Sequence, residues 1–384
     1  MNKHSDLRWT LIVLLAVLPV LVYSRSAAAD WPLVRGDALA SGVAAGPLTT
    51  PLKVLWKYQA DDSGFEATAV LAAGTVYVGD VDGTFYALRL ADGEIVWKRT
   101  FADSGFLAGA AVVDGNVYVG DFNGVVRCLS AETGEDVWSH ETATEIFAAP
   151  NVVGQRVLVT TEGGMLVSLD ARTGKRQWQF QIEAPLRCWP AVVDDRVLLA
   201  GCDGRLHAVD VATGKEVEGV DIDGPTGSTP AILTGNVFFG TEQGTFYSIS
   251  TGPMAIRWQH RDAKRPQGIR SAAAVDRRTV VFGSQGKQVT ALDPASGQAQ
   301  WTFPTRAKVE SSPVIVGDLV FFATTRGRLF AVDILSGEEI WQYDAGGGFQ
   351  ASPAVAGGHL VIGNNDGTLY CLGASKEEAA NGRQ

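Results

Sequence analysis

Three sets of residues in this chain of 384 have the right chemistry for a reactive or ligand-holding site. The four cysteines, Cys128, Cys188, Cys202 and Cys371, could form disulfides or supply a thiol. Five histidines are spread without the close pairing that zinc sites use, and there is no Cys-x-x-Cys-His for haem. Segments such as Asp80-Val-Asp82-Gly83 look like pieces of calcium loops, whose alternating carboxylates surround one ion. They recur where the chain must reverse, so turn chemistry accounts for them. A net charge of −10 argues against nucleic acid, whose phosphates demand a basic footprint. No metal, cofactor or catalytic residue is assigned on these grounds.

The elements that would position such residues follow from an internal repeat. Trp56, Trp97, Trp138, Trp178, Glu218, Trp258, Trp301 and Trp341 mark steps of 41, 41, 40, 40, 40, 43 and 40 residues. A period near 40 with strand-like content marks propeller blades, small sheets that cannot bury their faces alone. Each copy carries three turn signals, for example Ala73-Gly74, Asp82-Gly83 and Asp92-Gly93, and three turns join four strands. Asn-Gly and Asp-Gly favour tight hairpins because both central residues tolerate positive φ. The pattern predicts an all-β, eight-bladed propeller of four-stranded antiparallel blades over residues 53–373.

Aligning the copies exposes two constrained slots. Ala87, Cys128, Ser168, Ala208, Ser248, Ala291, Ala331 and Cys371 are all small, and Pro150, Pro190, Pro230, Pro313 and Pro353 share another position. Proline cannot donate to a ladder, so the proline-bearing strand has a free edge and lies innermost, at the channel, with the tryptophans at the rim. Just before it stand Glu66, Leu107, Phe147, Arg187, Gly227, Arg270, Glu310 and Gln350, which should ring one mouth of the channel. With Phe106 and Trp189 nearby, this mouth suits a small ligand or peptide; alternatively, Glu66 and Glu310 balance Arg187 and Arg270 as an ion network. The loop His260, Arg261, Lys264 and Arg265 after Trp258 is longer than its counterparts and basic, a candidate partner-docking loop or simply a solvated one.

The ends complete the organisation. The eighth copy lacks its outer strand, and the orphan segment Lys53-Val-Leu-Trp-Lys-Tyr58 should supply it and lock the ring. Residues 1–29 have a basic start, an apolar run from Leu11 to Val22 and Ala27-Ala28-Ala29, the pattern of a secretory signal peptide. Cleavage there would remove three basic and one acidic side chain and leave about −12, with no transmembrane segment in the mature chain. Retention as an anchor is the alternative. No cysteine near the cut would take a lipid. Residues 30–52 form a leader, whose Arg35-Gly36-Asp37 reads as coincidence rather than a cell-adhesion ligand, and 374–384 a polar tail.

In an exported protein, Cys188 and Cys202 invite a bridge, lying on the first two strands of blade four. A two-residue turn would put Cys188 opposite Gly201, one step off, so bonding needs a bulge, and two free thiols are the other outcome. Cys128 and Cys371 sit in distant blades and cannot meet.

Segments such as Ser168-Leu-Asp-Ala-Arg-Thr-Gly-Lys-Arg-Gln-Trp178 and Ala331-Val-Asp-Ile-Leu-Ser-Gly-Glu-Glu-Ile-Trp341 resemble the tryptophan-docking motif of the pyrroloquinoline-quinone (PQQ) repeat family. The resemblance spans about residues 53–372. It implies a propeller whose indoles stack on the Thr-Gly turn of a neighbouring blade. It also implies either a quinoprotein dehydrogenase or a non-enzymatic scaffold such as the outer-membrane assembly lipoprotein BamB. The family's dehydrogenases hold PQQ between a floor tryptophan and two adjacent bonded cysteines, with calcium on Glu, Asn and Asp. This chain has no adjacent cysteine pair. The expected function is a BamB-like exported scaffold, soluble in the periplasm or cell envelope and holding an envelope protein partner, as a monomer or within a hetero-complex. The alternatives are a PQQ-dependent dehydrogenase and a small-molecule or sugar sensor.

Overall fold

The computed structural model describes residues 30–262 and 266–374. The signal-peptide segment and, apart from Ala374, the polar tail lie outside the described residues. Among these every regular element is a strand, and eight antiparallel four-stranded sheets form an eight-bladed propeller. In the first blade, strands Val70–Ala72, Thr75–Gly79, Thr84–Arg89 and Ile95–Thr100 follow one another outward. Innermost strands of neighbouring blades lie against each other, and Val70–Ala72 meets Ala354–Ala356 of the eighth blade, closing the ring.

Apolar residues bury the two middle strands of each blade on both faces, whereas outer strands such as Ile95–Thr100 bury one side chain in six. That one is the tryptophan, and the small slot explains it. Ala87 pairs with Trp97, Cys128 with Trp138, Ser168 with Trp178 and Cys371 with Trp56 across the ladder. A larger side chain there would fill the space the indole needs. The prolines stand immediately before the innermost strands, as Pro150 does before Asn151–Val153, so no ladder donor is lost.

The turns divide into two kinds. The first is a tight hairpin with positive φ at both central residues, as at Asp114 and Gly115. The Asp82-Gly83 turn differs from the expected hairpin, because only Gly83 is left-handed. There the Asp80 carboxylate caps a longer turn, accepting from Asp82 N at 3.1 Å and Thr84 N at 2.8 Å. Asp121 does the same for Asn123 and Val125. An acidic residue that spends its oxygens on backbone amides in this way accounts for the calcium-like spelling.

Lys53–Gln59 pairs antiparallel with Thr368–Gly373 and completes the last blade, as the orphan segment requires. The leader does more than precede the ring. Trp31 bridges Leu71, and Pro32, Ala38, Leu39, Ser41 and Gly42 accept from Val112, Val192, Ile232, Val275 and Ile315, each on an innermost strand. Val43–Ala44 then runs parallel to Val314–Val316 as a fifth strand of blade seven. The leader is thus hydrogen-bonded across the inner strands of six blades and closes one end of the channel.

Candidate functional site

Each mouth residue stands four positions before the first residue of an innermost strand, so the eight repeats bring Glu66, Leu107, Phe147, Arg187, Gly227, Arg270, Glu310 and Gln350 into one ring. They enclose a cavity of about 630 Å³. Phe106 is not among them. It is buried against Phe85 and Phe101 in the blade interior, because successive residues of an extended segment face opposite ways.

The mouth charges find partners on hairpins rather than mainly across the ring. Arg187 pairs with Glu162, Nε lying 2.8 Å from Oε2, and Arg270 with Glu242 at 2.8 Å. Only Arg270 approaches a second mouth residue, Glu310, at 4.0 Å. The Glu66 carboxyl is half-buried, and burial pushes its pKa above the ordinary carboxylate value. The anticipated balance of Glu66 by Arg187 is therefore replaced by the nearer Glu162.

Two residues deeper lies a second ring, which with the leader bounds a chamber of about 200 Å³. Thr68, Thr229, Ser312 and Ser352 supply hydroxyls there, and Trp189 a buried indole that donates to Pro150 O at 3.0 Å. Val34 and Arg35 form its floor. Sequence reasoning missed Arg35 because the leader is outside the repeat, so no alignment of copies assigns it a position. The same burial rules out Arg35-Gly36-Asp37 as a displayed ligand: Arg35 is 1% exposed, and Asp37 caps Leu39 N and Ser41 N.

Six tryptophans rest on a glycine of the next blade. A Cβ on Gly93, Gly134, Gly174, Gly214, Gly297 or Gly337 would stand 2.5–2.7 Å from the indole of Trp56, Trp97, Trp138, Trp178, Trp258 or Trp301. Each indole N–H donates to a carbonyl of that blade, as Trp97 does to Ala131 O at 2.9 Å. Trp341 faces the seam, where blade eight has no such turn among the described residues, and stacks on Tyr343. Blade four substitutes polar contacts: Glu218 accepts from Met254 N at 2.6 Å and pairs with Arg196, which also donates to Thr251 O.

Of the two outcomes open for Cys188 and Cys202, the structure has the free thiols; all four cysteines are unbonded. Ala191 opposite Leu198 carries Cys188 opposite Gly201, so the two side chains point to opposite faces. Cys188 is buried and pushed up to about 12, whereas Cys202 is half-buried at the mouth with Sγ on Thr226 O. Of the basic loop, Lys264 and Arg265 lie outside the described residues. His260 lines a recess of about 120 Å³ with Gln267 and Phe282, and Arg261 lies 3.7 Å from Asp223.

The cofactor implied by the resemblance does not fit these residues. Trp189 could serve as a floor, but the one cysteine at the mouth is Cys202, without the adjacent bonded partner. Among the described residues no group of three or more His, Cys, Asp or Glu is placed to hold a metal ion.

A family model described as outer membrane protein assembly factor BamB matches residues 38–99, 91–217 and 182–380, nearly the whole ring and part of the leader. No curated protein matches the chain. Among solved structures, BamB from Moraxella catarrhalis is 20% identical with a TM-score of 0.72, over 85% of this chain and 99% of that one. The computationally designed Ika8 protein is 17% identical with a TM-score of 0.75, over 84% and 100%. Quinohemoprotein alcohol dehydrogenase from Comamonas testosteroni is 16% identical with a TM-score of 0.75, over 91% and 81%. At such identities these likenesses establish the fold alone. The repeats, the closed ring of eight blades and the family match together show that the chain belongs to the PQQ-repeat β-propeller family represented by the BamB model.

Proposed function

We propose that this chain is an exported scaffold that binds another protein of the cell envelope and serves in protein assembly there, in the manner of BamB. The family match supports this reading, and one structural observation carries it. In each outer strand the register slips just before the tryptophan position, leaving the preceding residue unpaired. A bulge of this kind re-aims its side chain outward. In four consecutive blades, seven, eight, one and two, that residue is an exposed aliphatic: Ile340, Leu55, Val96 and Val137, at 39–52% exposure. In blade three it is Gln177, which separates this arc from the exposed Val217 of blade four. An arc of outward aliphatics on a rigid ring is a surface for a protein partner, bound without covalent chemistry.

A photo-crosslinking residue placed at Val96 or Val137 should capture one discrete envelope protein, whereas the same probe at Gln177 should not. Val137→Asp should weaken the capture at Val96 without lowering thermal stability. Equal labelling at all three positions would reject the arc as a partner surface.

The fold shared with quinohemoprotein alcohol dehydrogenase favours one second reading, a dehydrogenase. Calorimetric titration with PQQ and calcium separates the two, since saturable binding supports the enzyme and its absence the scaffold.

A further inference from the structure

We infer that the blind chamber beneath the channel mouth is a binding site for a compact oxyanion, the carboxylate or phosphate monoester of a small molecule. Arg35 would receive it at the floor, and the Thr68, Ser312 and Ser352 hydroxyls at the wall. This goes beyond the partner surface on the rim and does not depend on it.

Arg35 is fully buried and charged. Its Nη2 donates to Ala273 O at 3.0 Å and Pro313 O at 2.8 Å, which ties the leader to blades six and seven. Nε and Nη1 are buried with no hydrogen-bond partner among the described residues. A guanidinium presents its donors in one plane; with Nη2 spent on the two carbonyls, Nε and Nη1 lie on either side of Cδ and can each give only a separate single contact. Burial draws its pKa down to about 10, opposed by nearby Asp37, so it remains a cation at neutral pH. Asp37 does not hydrogen-bond to it: its carboxylate is taken by Leu39 N, Ser41 N and the Ser41 hydroxyl. A buried cation with three of its five N–H donors unspent is costly, and an anion would offset that cost.

The wall points the same way. Ser352 N donates to Thr68 Oγ1 at 3.0 Å, Ser312 N to Ser352 Oγ at 2.9 Å, and Ala272 N to Ser312 Oγ at 3.0 Å. Four neighbouring blades are stapled through three hydroxyls acting as acceptors, which leaves each O–H hydrogen available to donate. These hydroxyls and Arg35 border the same chamber. A space bordered by unspent donors selects an acceptor, and the arginine makes a negative one preferred.

The test uses the full chain and titrates acetate and methyl phosphate separately by calorimetry, with chloride at equal ionic strength as control. Saturable one-to-one binding of either probe is expected, with the stronger of the two identifying carboxylate or phosphate as the source. Arg35→Lys keeps the charge but removes the planar N–H donors, and the double variant Ser312→Ala with Ser352→Ala removes two hydroxyls while sparing the leader. Each should weaken binding roughly tenfold or more. Ser271→Ala controls for lost stability, since Ser271 donates to Gly283 O outside the chamber and its loss should leave affinity unchanged. If neither probe binds saturably, or if the hydroxyl variant binds like the parent, the site does not exist. Should Arg35→Lys fail to fold, the hydroxyl variant alone decides.

Discussion

Glu218 and Arg196 of blade four form a 3.0 Å ion pair at the place where the other blades dock an indole. Their contacts cross to blade five, Glu218 through Met254 N and Arg196 through Thr251 O. The irregular segment Ser250–Ala255 and the missing tryptophan are thus one feature: a turn without the flat glycine platform cannot seat an indole and is held by hydrogen bonds instead. Because both side chains are about 30% exposed, solvent weakens the pair. Glu218→Ala should cost about 1–2 kcal/mol. Glu218→Gln, which keeps an acceptor for Met254 N, should cost less in urea unfolding, and an equal loss would mean that charge, not the amide bond, joins these blades.

Docked indoles should dominate the stability between other blades. Trp301→Ala removes a side chain 9% exposed, with its bond to Ile334 O, and should cost about 3–5 kcal/mol. Trp341→Ala should cost less, because no glycine turn or indole hydrogen bond receives it among the described residues. Equal losses in denaturant melts would show that docking onto the glycine turn adds nothing.

Ring closure rests on Lys53–Gln59. Deleting residues 48–60 should destroy cooperative unfolding, since it strips the outer strand from blade eight and exposes Thr368–Gly373. Calorimetric melting like that of the parent would contradict this closure.

Stability should fall in alkali. Burial pushes the Cys128, Cys188 and Cys371 thiols up to about 12 from an ordinary 9.0, and Tyr118 likewise to about 12 from 10.0. Groups raised in the folded state keep protons that the unfolded chain releases, so their contribution is complete below about pH 9 and is lost as pH rises toward 12. Urea melts across that window should show a steady decline, and a flat profile would place these side chains in water.

The thiols should also separate by access. Cys202, half-buried at the channel mouth, should react with a thiol reagent in the folded protein before the three buried cysteines, and denaturation should release four. Two would mean a bridge.

What the amino-acid order determined by itself is whatever repeats. Alternation of Val, Leu and Phe, the Gly turns and the tryptophan marks are local signals, and eight copies average out the noise in each. Blade number, strand order, the closing strand at Trp56 and the ring from Glu66 to Gln350 were therefore legible. The register that separates Cys188 from Cys202 was legible too, although whether a bulge would join them was not. Tertiary structure alone decided the non-periodic parts. Arg187 could be assigned to the mouth, but its partner Glu162 comes from a hairpin 25 positions away. Arg35 meets Pro313 across 278 residues. Such pairings are set by which surfaces the closed ring leaves unfilled, a long-range packing outcome that no local pattern in the leader encodes.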